Sequence, residues 1–180
     1  MSFSILQKVD GSATVVNNIT GTIVGYLDAD GGVNWGPSGL ITLTADISLT
    51  ADTHEGRVLL LGEVGGNAEL VATLPEATGS GAIFRFIVSV VNTSNYVIAT
   101  ADATNAAFFG SVNIIDLDAA AQAAYAPAAT DDLITLNGGT TGGAIGDYLE
   151  VIDFATDKWM VNGQLQCPTG SNPATPFSGT

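Results

Sequence analysis

Residues 79–91 read GSGAIFRFIVSVV, and from Ala82 onward they alternate. Ala82, Phe84, Phe86, Val88 and Val90 fall on one side of an extended chain, and Ile83, Arg85, Ile87, Ser89 and Val91 on the other, because successive strand side chains point to opposite faces. The first side is wholly apolar, and the second is apolar but broken by Arg85 and Ser89. That is the pattern of a long central strand, buried on one face and half covered on the other. At about 3.4 Å per residue, the segment 82–91 spans roughly 34 Å, the full height of a β-sandwich. Phe84 and Phe86 are the expected core anchors.

Shorter runs of the same kind flank this stretch. Strand candidates lie at 57–61, 69–74, 96–99, 107–115, 133–136, 147–154 and 158–161. Between them stand Gly65-Gly66-Asn67, Pro75-Glu76, residues 92–95 and Thr156-Asp157. Closely spaced strands with turn residues between them predict an all-β fold, a jelly-roll-like β-sandwich over residues 41–165. ITLTAD at 41–46 is followed at once by ISLTAD at 47–52, and TAD returns at 100–102. So short a repeat predicts strand, bend, strand, each Asp carboxylate accepting local backbone N–H groups, and not a solenoid. At most one short helix is expected. Asp116 is placed to cap it, Asp118 sits in its first turn, AAAQAAYA follows, and Pro127 ends it.

Residues 1–40 have a different texture. Two β-like pieces at 4–9 and 14–19 flank the turn Asp10-Gly11-Ser12, and then Gly and Asp interrupt every apolar run as far as Pro37. The segment predicts either an extended N-terminal arm lying across a neighbouring molecule or a hairpin and long loop capping the sandwich. Its apolar side chains need burial, which makes Phe3, Ile5, Leu6, Ile23, Tyr26 and Trp35 the candidate partner-binding residues. Residues 166–180, rich in Pro, Ser, Thr and Gly, read as a C-terminal tail.

Composition narrows the partners. Hydrophobic residues make up 46% of the chain and charged residues only 12%, about half the ordinary share, so much of the surface is neutral and suited to burial against other chains. A homo-oligomer is expected, with a trimer the favoured form. Lys8, Arg57, Arg85 and Lys158 stand against 18 acidic residues, for a net charge of -14. Nucleic acid and anionic membranes are therefore excluded as partners, since both need clustered cations. The opening MSFSILQKVD is too short and polar for a signal peptide, and no apolar stretch reaches the roughly 20 residues of a membrane helix. Without a secretion signal, the sequons at Asn18 and Asn92 read as ordinary turn and strand residues.

No catalytic, cofactor-binding or metal-binding residues are expected. His54, the sole histidine, reads as an exposed turn residue before a strand. Cys167, the sole cysteine, precedes Pro168 without the cationic setting that lowers a thiol pKa. Asp28-Ala29-Asp30-Gly31-Gly32 begins like a calcium loop but lacks the later ligands. The pairs Asp116/Asp118 and Asp131/Asp132 read as solvated acids unless a fold sets two of them across a cleft. GEVGGNAE and NGGTTGGAIGD have no Lys for a phosphate and read as loops.

From Ile41 the order of elements resembles a group of tailed-phage virion proteins. The resemblance is carried by TADISLTADTHEGRVLLL, ELVATLPEA, GAIFRFIVSVVNTSNYVIATAD and GAIGDYLEVIDFATDKWMVNGQL, and it covers about residues 41–165. It implies a β-sandwich cement (decoration) protein on the outer surface of an icosahedral head, trimeric at local three-fold positions. Its partners would be the major capsid protein and copies of itself. No active-site residues follow from the resemblance. A rival is a tail-associated or fibre domain that binds host carbohydrate, with Trp35 and Trp159 stacking on sugar rings; the alternation of Trp159 with Val161 and Leu165 places that residue in the core instead. A carboxylate-based polysaccharide hydrolase is a third reading, and it needs two close acids in an open cleft.

Overall fold

The computed structural model describes the backbone of residues 3–7, 13–17, 23–27 and 33–35, and the whole of residues 39–65, 68–119, 121–168 and 171–180. The turn at 10–12, the Asp28/Asp30 loop, the Asn18 sequon, Lys8 and most of the turn at 65–67 lie outside the described residues. Strands β1 (Phe3–Gln7), β2 (Ala13–Asn17), β3 (Ile23–Leu27) and β4 (Val33–Trp35) form an antiparallel sheet of their own, in chain order. The expected hairpin is thus continued by two further strands where the sequence suggested a loop.

From Leu40 the chain winds back and forth between two sheets. Strands β5 (Leu40–Leu43), β7 (Val58–Leu61) and β9 (Ile83–Val88) are parallel neighbours in one sheet. Strands β6 (Ile47–Ser48), β8 (Leu70–Thr73) and β10 (Tyr96–Ala99) are parallel neighbours in the other. Each pair makes one turn of a flattened coil, and the turns stack in register. Ile41, Leu59 and Phe86 share one level, and Leu43, Leu61 and Val88 the next. The tandem repeat is the first turn: Leu43 and Leu49 are both buried, one on each side of the bend. The Asp46 carboxylate in that bend accepts the Val71 N–H at 2.8 Å, which belongs to the next turn of the coil and not to a local amide. Asp102 does bond locally, to the N–H groups of Thr104 and Asn105.

The second half closes the sandwich. Strands β14 (Tyr148–Ala155) and β15 (Lys158–Cys167) form a hairpin through Thr156 and Asp157, whose φ of 60° is a left-handed value that Asp tolerates. Strand β14 runs antiparallel to β9, and β15 runs parallel to β11 (Ala107–Asp116), which carries β12 (Ala121–Tyr125) on its free side. The result is a seven-stranded mixed sheet in the order β12-β11-β15-β14-β9-β7-β5. Strands β13 (Leu133–Leu136) and β16 (Phe177–Ser178) complete the five-stranded sheet opposite. An all-β sandwich is therefore present, but its parallel neighbours follow a coiled path, not the antiparallel path of a jelly roll.

Phe84, Phe86, Trp159, Phe108 and Leu59 from one sheet pack with Leu70, Ile98, Ile134 and Tyr96 from the other, all of them essentially buried. Each such side chain stabilises the fold by about 1.5–3 kcal/mol. Trp159 meets Phe84 edge-on, ring centroids 5.8 Å apart. Gly110, at φ 107°, allows β11 to approach β15 closely, since a Cβ there would stand 2.2 Å from the Val161 carbonyl oxygen.

Four expectations change. The central strand ends at Val88, with the Ser89 N–H and hydroxyl both donating to the Leu61 carbonyl just beyond it; Val90, expected in the core, is 44% exposed. The helix expected after Asp116 is strand β12, since so short a run of small residues gains more by pairing with β11 than by nucleating a helix. The one helical turn among the described residues is α1 (Ala51–His54). It draws His54 into a buried position, where Nδ1 accepts the Thr50 N–H at 3.0 Å, so His54 is not an exposed turn residue. The C-terminal segment is pinned by β16, with Phe177 buried against the core.

Candidate interaction surface

Buried carboxylates hold loops in place. Asp153 accepts the N–H groups of Thr78, Gly79 and Ser80 and the Ser80 hydroxyl, at 2.7 to 3.0 Å. Burial works to raise its pKa, but the bonds from Ser80, Thr78 and Gly79 together outweigh it and hold the carboxyl below its ordinary value. Asp147 accepts the N–H groups of Gly143 and Ala144 and the Gln166 amide, yet burial wins there and pushes its pKa up. Asp132 receives the N–H and hydroxyl of Thr180, and Asp116 the N–H groups of Asp118 and Ala119. These acids accept hydrogen bonds from loop backbone and staple those loops in place.

Cys167 is buried at the end of β15, and its thiol pKa is pushed up by burial and by nearby Asp116 and Asp118. A thiol held protonated is a poor nucleophile. A hollow of about 230 Å³ is rimmed by Glu76, Asp102 and Asp157, but the Asp102 carboxylate is already bonded to Asn105 and Thr104. Among the described residues no group of three or more His, Cys, Asp and Glu is placed to hold a metal ion.

The outward face of the seven-stranded sheet is of another kind. Register sorts it into rows running across the strands. Ile83, Ile152, Met160 and Phe109 make the first row, from β9 to β11, wholly apolar. Leu40, Val58, Arg85, Glu150, Asn162 and Ser111 make the second, and Thr42, Leu60, Ile87, Tyr148, Gln164 and Asn113 the third. Phe154 and Lys158 flank the first row at the hairpin end. Phe154 is 48% exposed, Phe109 and Met160 each 37%, and Leu40 67%. The Phe109 ring meets the Phe154 ring edge-on at 5.9 Å, and the Lys158 ammonium sits 5.7 Å from the Phe109 ring centroid.

The charge of this face opposes that of the chain. Arg85 and Lys158 lie on it, and among the described residues of these rows Glu150 is the single acid. Arg85 Nε bonds Glu150 Oε2 at 2.8 Å, and the Tyr148 hydroxyl donates to the same oxygen at 3.2 Å. The bond to Glu150 raises the Arg85 pKa, so the cation persists at every working pH. A protein of net charge -14 thus has one broad face that is apolar, neutral or slightly cationic.

Of the six residues singled out from the sequence, Phe3, Ile5 and Leu6 lie on β1, Ile23 and Tyr26 on β3, and Trp35 on β4; their side chains lie outside the described residues. Phe109, Phe154 and Met160 were missed because each sits at an outward position of an alternating strand, where solvent is the ordinary neighbour. The signal available was their size at those positions. Trp159 is fully buried and has no face to offer a sugar. No family model, curated protein or solved structure matches the chain.

Proposed function

We propose that the chain is a structural subunit of a tailed-phage virion, a cement protein that assembles as a trimer on the outer surface of the head against the major capsid protein. The observation that carries this reading is the uncovered face of the seven-stranded sheet, where Phe109, Phe154, Met160 and Leu40 are exposed on an otherwise acidic protein. Large apolar side chains exposed on an open sheet face mark interaction sites, and burying them across a joint between capsomers is what reinforcing a shell requires. Net negative charge favours an outer position, since packaged DNA repels it. Asp147, Asp153, His54 and Cys167 are engaged in holding the fold, which suits a subunit that binds without turning over a substrate.

The test is cosedimentation of the purified protein with expanded, DNA-free heads that lack it. Saturable binding at a fixed ratio to capsid protein is expected. Folded protein that leaves the heads bare at micromolar concentration contradicts the reading.

A further inference from the structure

The seven-stranded sheet ends in two strands, β12 and β5, that each have a strand neighbour on one side only. In an extended chain the N–H and C=O of one residue point to one side, and those of the next residue to the other. The Leu43 carbonyl accepts the Gly62 N–H at 2.9 Å, so Leu43 and Ile41 face β7, while Leu40 and Thr42 face away from it. At the other edge the Leu117 N–H donates to the Cys167 carbonyl, so Ile115 and Asn113 face β15, and Asp116, Ile114 and Val112 face β12. Their partners Ala121, Ala123 and Tyr125 bond back to β11, which leaves Gln122 and Ala124 facing outward. Each edge thus presents the backbone groups of two exposed residues, and among the described residues no hydrogen bond reaches them. Edges that stay single are blunted by a charge, a proline or a bulge, and neither LITL nor AQAAY has one. The core is thin at the same two ends: Ile41 and Ile47 beside β5, and Tyr125 on β12, pack against it only partly buried.

We infer that β12 of one copy pairs with β5 of the next, so that the seven-stranded sheet continues from chain to chain. Polarity fits the match. Strands β5, β7, β9, β15 and β11 run one way, and β14 and β12 the other, so a second copy in the same orientation brings its β5 antiparallel to β12. The outward-facing residues then meet as hydrogen-bonded pairs, Gln122 with Thr42 and Ala124 with Leu40, each pair exchanging both N–H···O bonds. In that register the inner side sets Ala123 opposite Ile41 and Ala121 opposite Leu43, small against large, and closes water off from the thin ends of the core. Neither strand brings a charge to the joint, although the chain carries -14. One kind of contact satisfies both edges. Because the two edges differ, the contact is head-to-tail, and a rotation that closes after three copies gives a trimer with no free edge in this sheet.

The inference rests on the reading of an assembling shell subunit and names how its copies join, and its test uses no heads. Proline removes one backbone N–H and is tolerated on an edge strand where that N–H faces out. Full-length Thr42→Pro spoils the β5 edge, and full-length Ala124→Pro the β12 edge. The mass of each is read by light scattering, with circular dichroism to confirm folding. Wild type is expected at three times the 18.2 kDa chain mass. Each variant is expected to self-associate more weakly by roughly tenfold to a hundredfold, the effect of leaving a buried partner group unbonded. Mixed together, the two retain one good β5 edge and one good β12 edge, and a heterodimer and nothing larger is expected. If either proline variant unfolds, full-length Leu40→Cys and Ala124→Cys take their place. Under a mild oxidant the mixture is expected to give a disulfide-linked dimer on a denaturing gel and neither variant alone to do so, Cys167 being buried. A monomeric wild type, an unchanged mass in either proline variant, a mixture that stays monomeric, or cysteine variants that link no better mixed than alone each overturns the inference. Failure of wild type to bind heads overturns the shell reading instead and leaves these masses as they are.

Discussion

Phe109 on β11 and Phe154 on β14 meet edge to face across β15, ring centroids 5.9 Å apart at 85°, on the outside of the molecule. An aromatic pair of this geometry adds about 0.5–1.5 kcal/mol beyond burial, but here the two residues remain 37% and 48% exposed. Phe154→Ala is therefore expected to lower unfolding free energy by no more than about 1 kcal/mol while sharply weakening association. Urea melts and light scattering on the same samples separate the two effects. A large stability loss with association intact would assign the pair to the fold.

The core behaves in the opposite way. Phe86 is buried in the level shared by Leu59 and Leu149, and Phe86→Ala is expected to cost about 3–5 kcal/mol in urea unfolding. Ser89→Ala removes one hydroxyl bond to the Leu61 carbonyl and is expected to cost about 1 kcal/mol. Equal losses would mean that β9 faces the other way.

The sequence made the strands of the main body legible because alternation survives in each of them: Phe84 and Phe86, Leu149 and Val151, Trp159 and Val161 all point inward as their spacing says. It did not reveal the coil. Parallel register between β5, β7 and β9 depends on pairings some 18 to 27 residues apart, which no local pattern encodes. The segment Ala121–Tyr125 misled because alanine favours helix wherever tertiary pairing does not decide otherwise. His54 misled because a single helical turn is invisible to periodicity. The outer face was only half legible: Arg85 marked the uncovered side of β9, but its neighbours on β14, β15 and β11 come from distant parts of the chain.

Acid should act through Asp147 and Asp153 with opposite signs. Asp153 has a lowered pKa in the fold, so its contribution is present above the ordinary value of 3.8 and is lost as pH falls below it. Asp147 has a raised pKa, so stability is greatest while its carboxyl is protonated and declines as pH rises through the raised value, above 3.8. Asp153→Asn is expected to weaken the protein at pH 7 and to flatten the loss below 3.8. Asp147→Asn is expected to flatten the slope above it. Urea unfolding across this range checks both; slopes unchanged in the variants would place the titration elsewhere.

Gly110→Ala should damage the sheet although the position is exposed. Its φ of 107° disfavours any side chain, and the new Cβ would sit 2.2 Å from the Val161 carbonyl oxygen, so β11 and β15 must separate. A loss of about 2–4 kcal/mol in thermal or urea unfolding is expected, from backbone strain and broken pairing. A variant as stable as wild type would mean that the strands adjust without cost.

The most direct test of the central claim is a cryo-electron microscopy map of the decorated head at side-chain resolution. The account predicts density for this chain on the outer surface of the shell, three copies around each site, with Phe109, Phe154 and Met160 buried beneath protein. Density at the tail, or a seven-stranded sheet whose outer face stands free in solvent in the assembled particle, would contradict it.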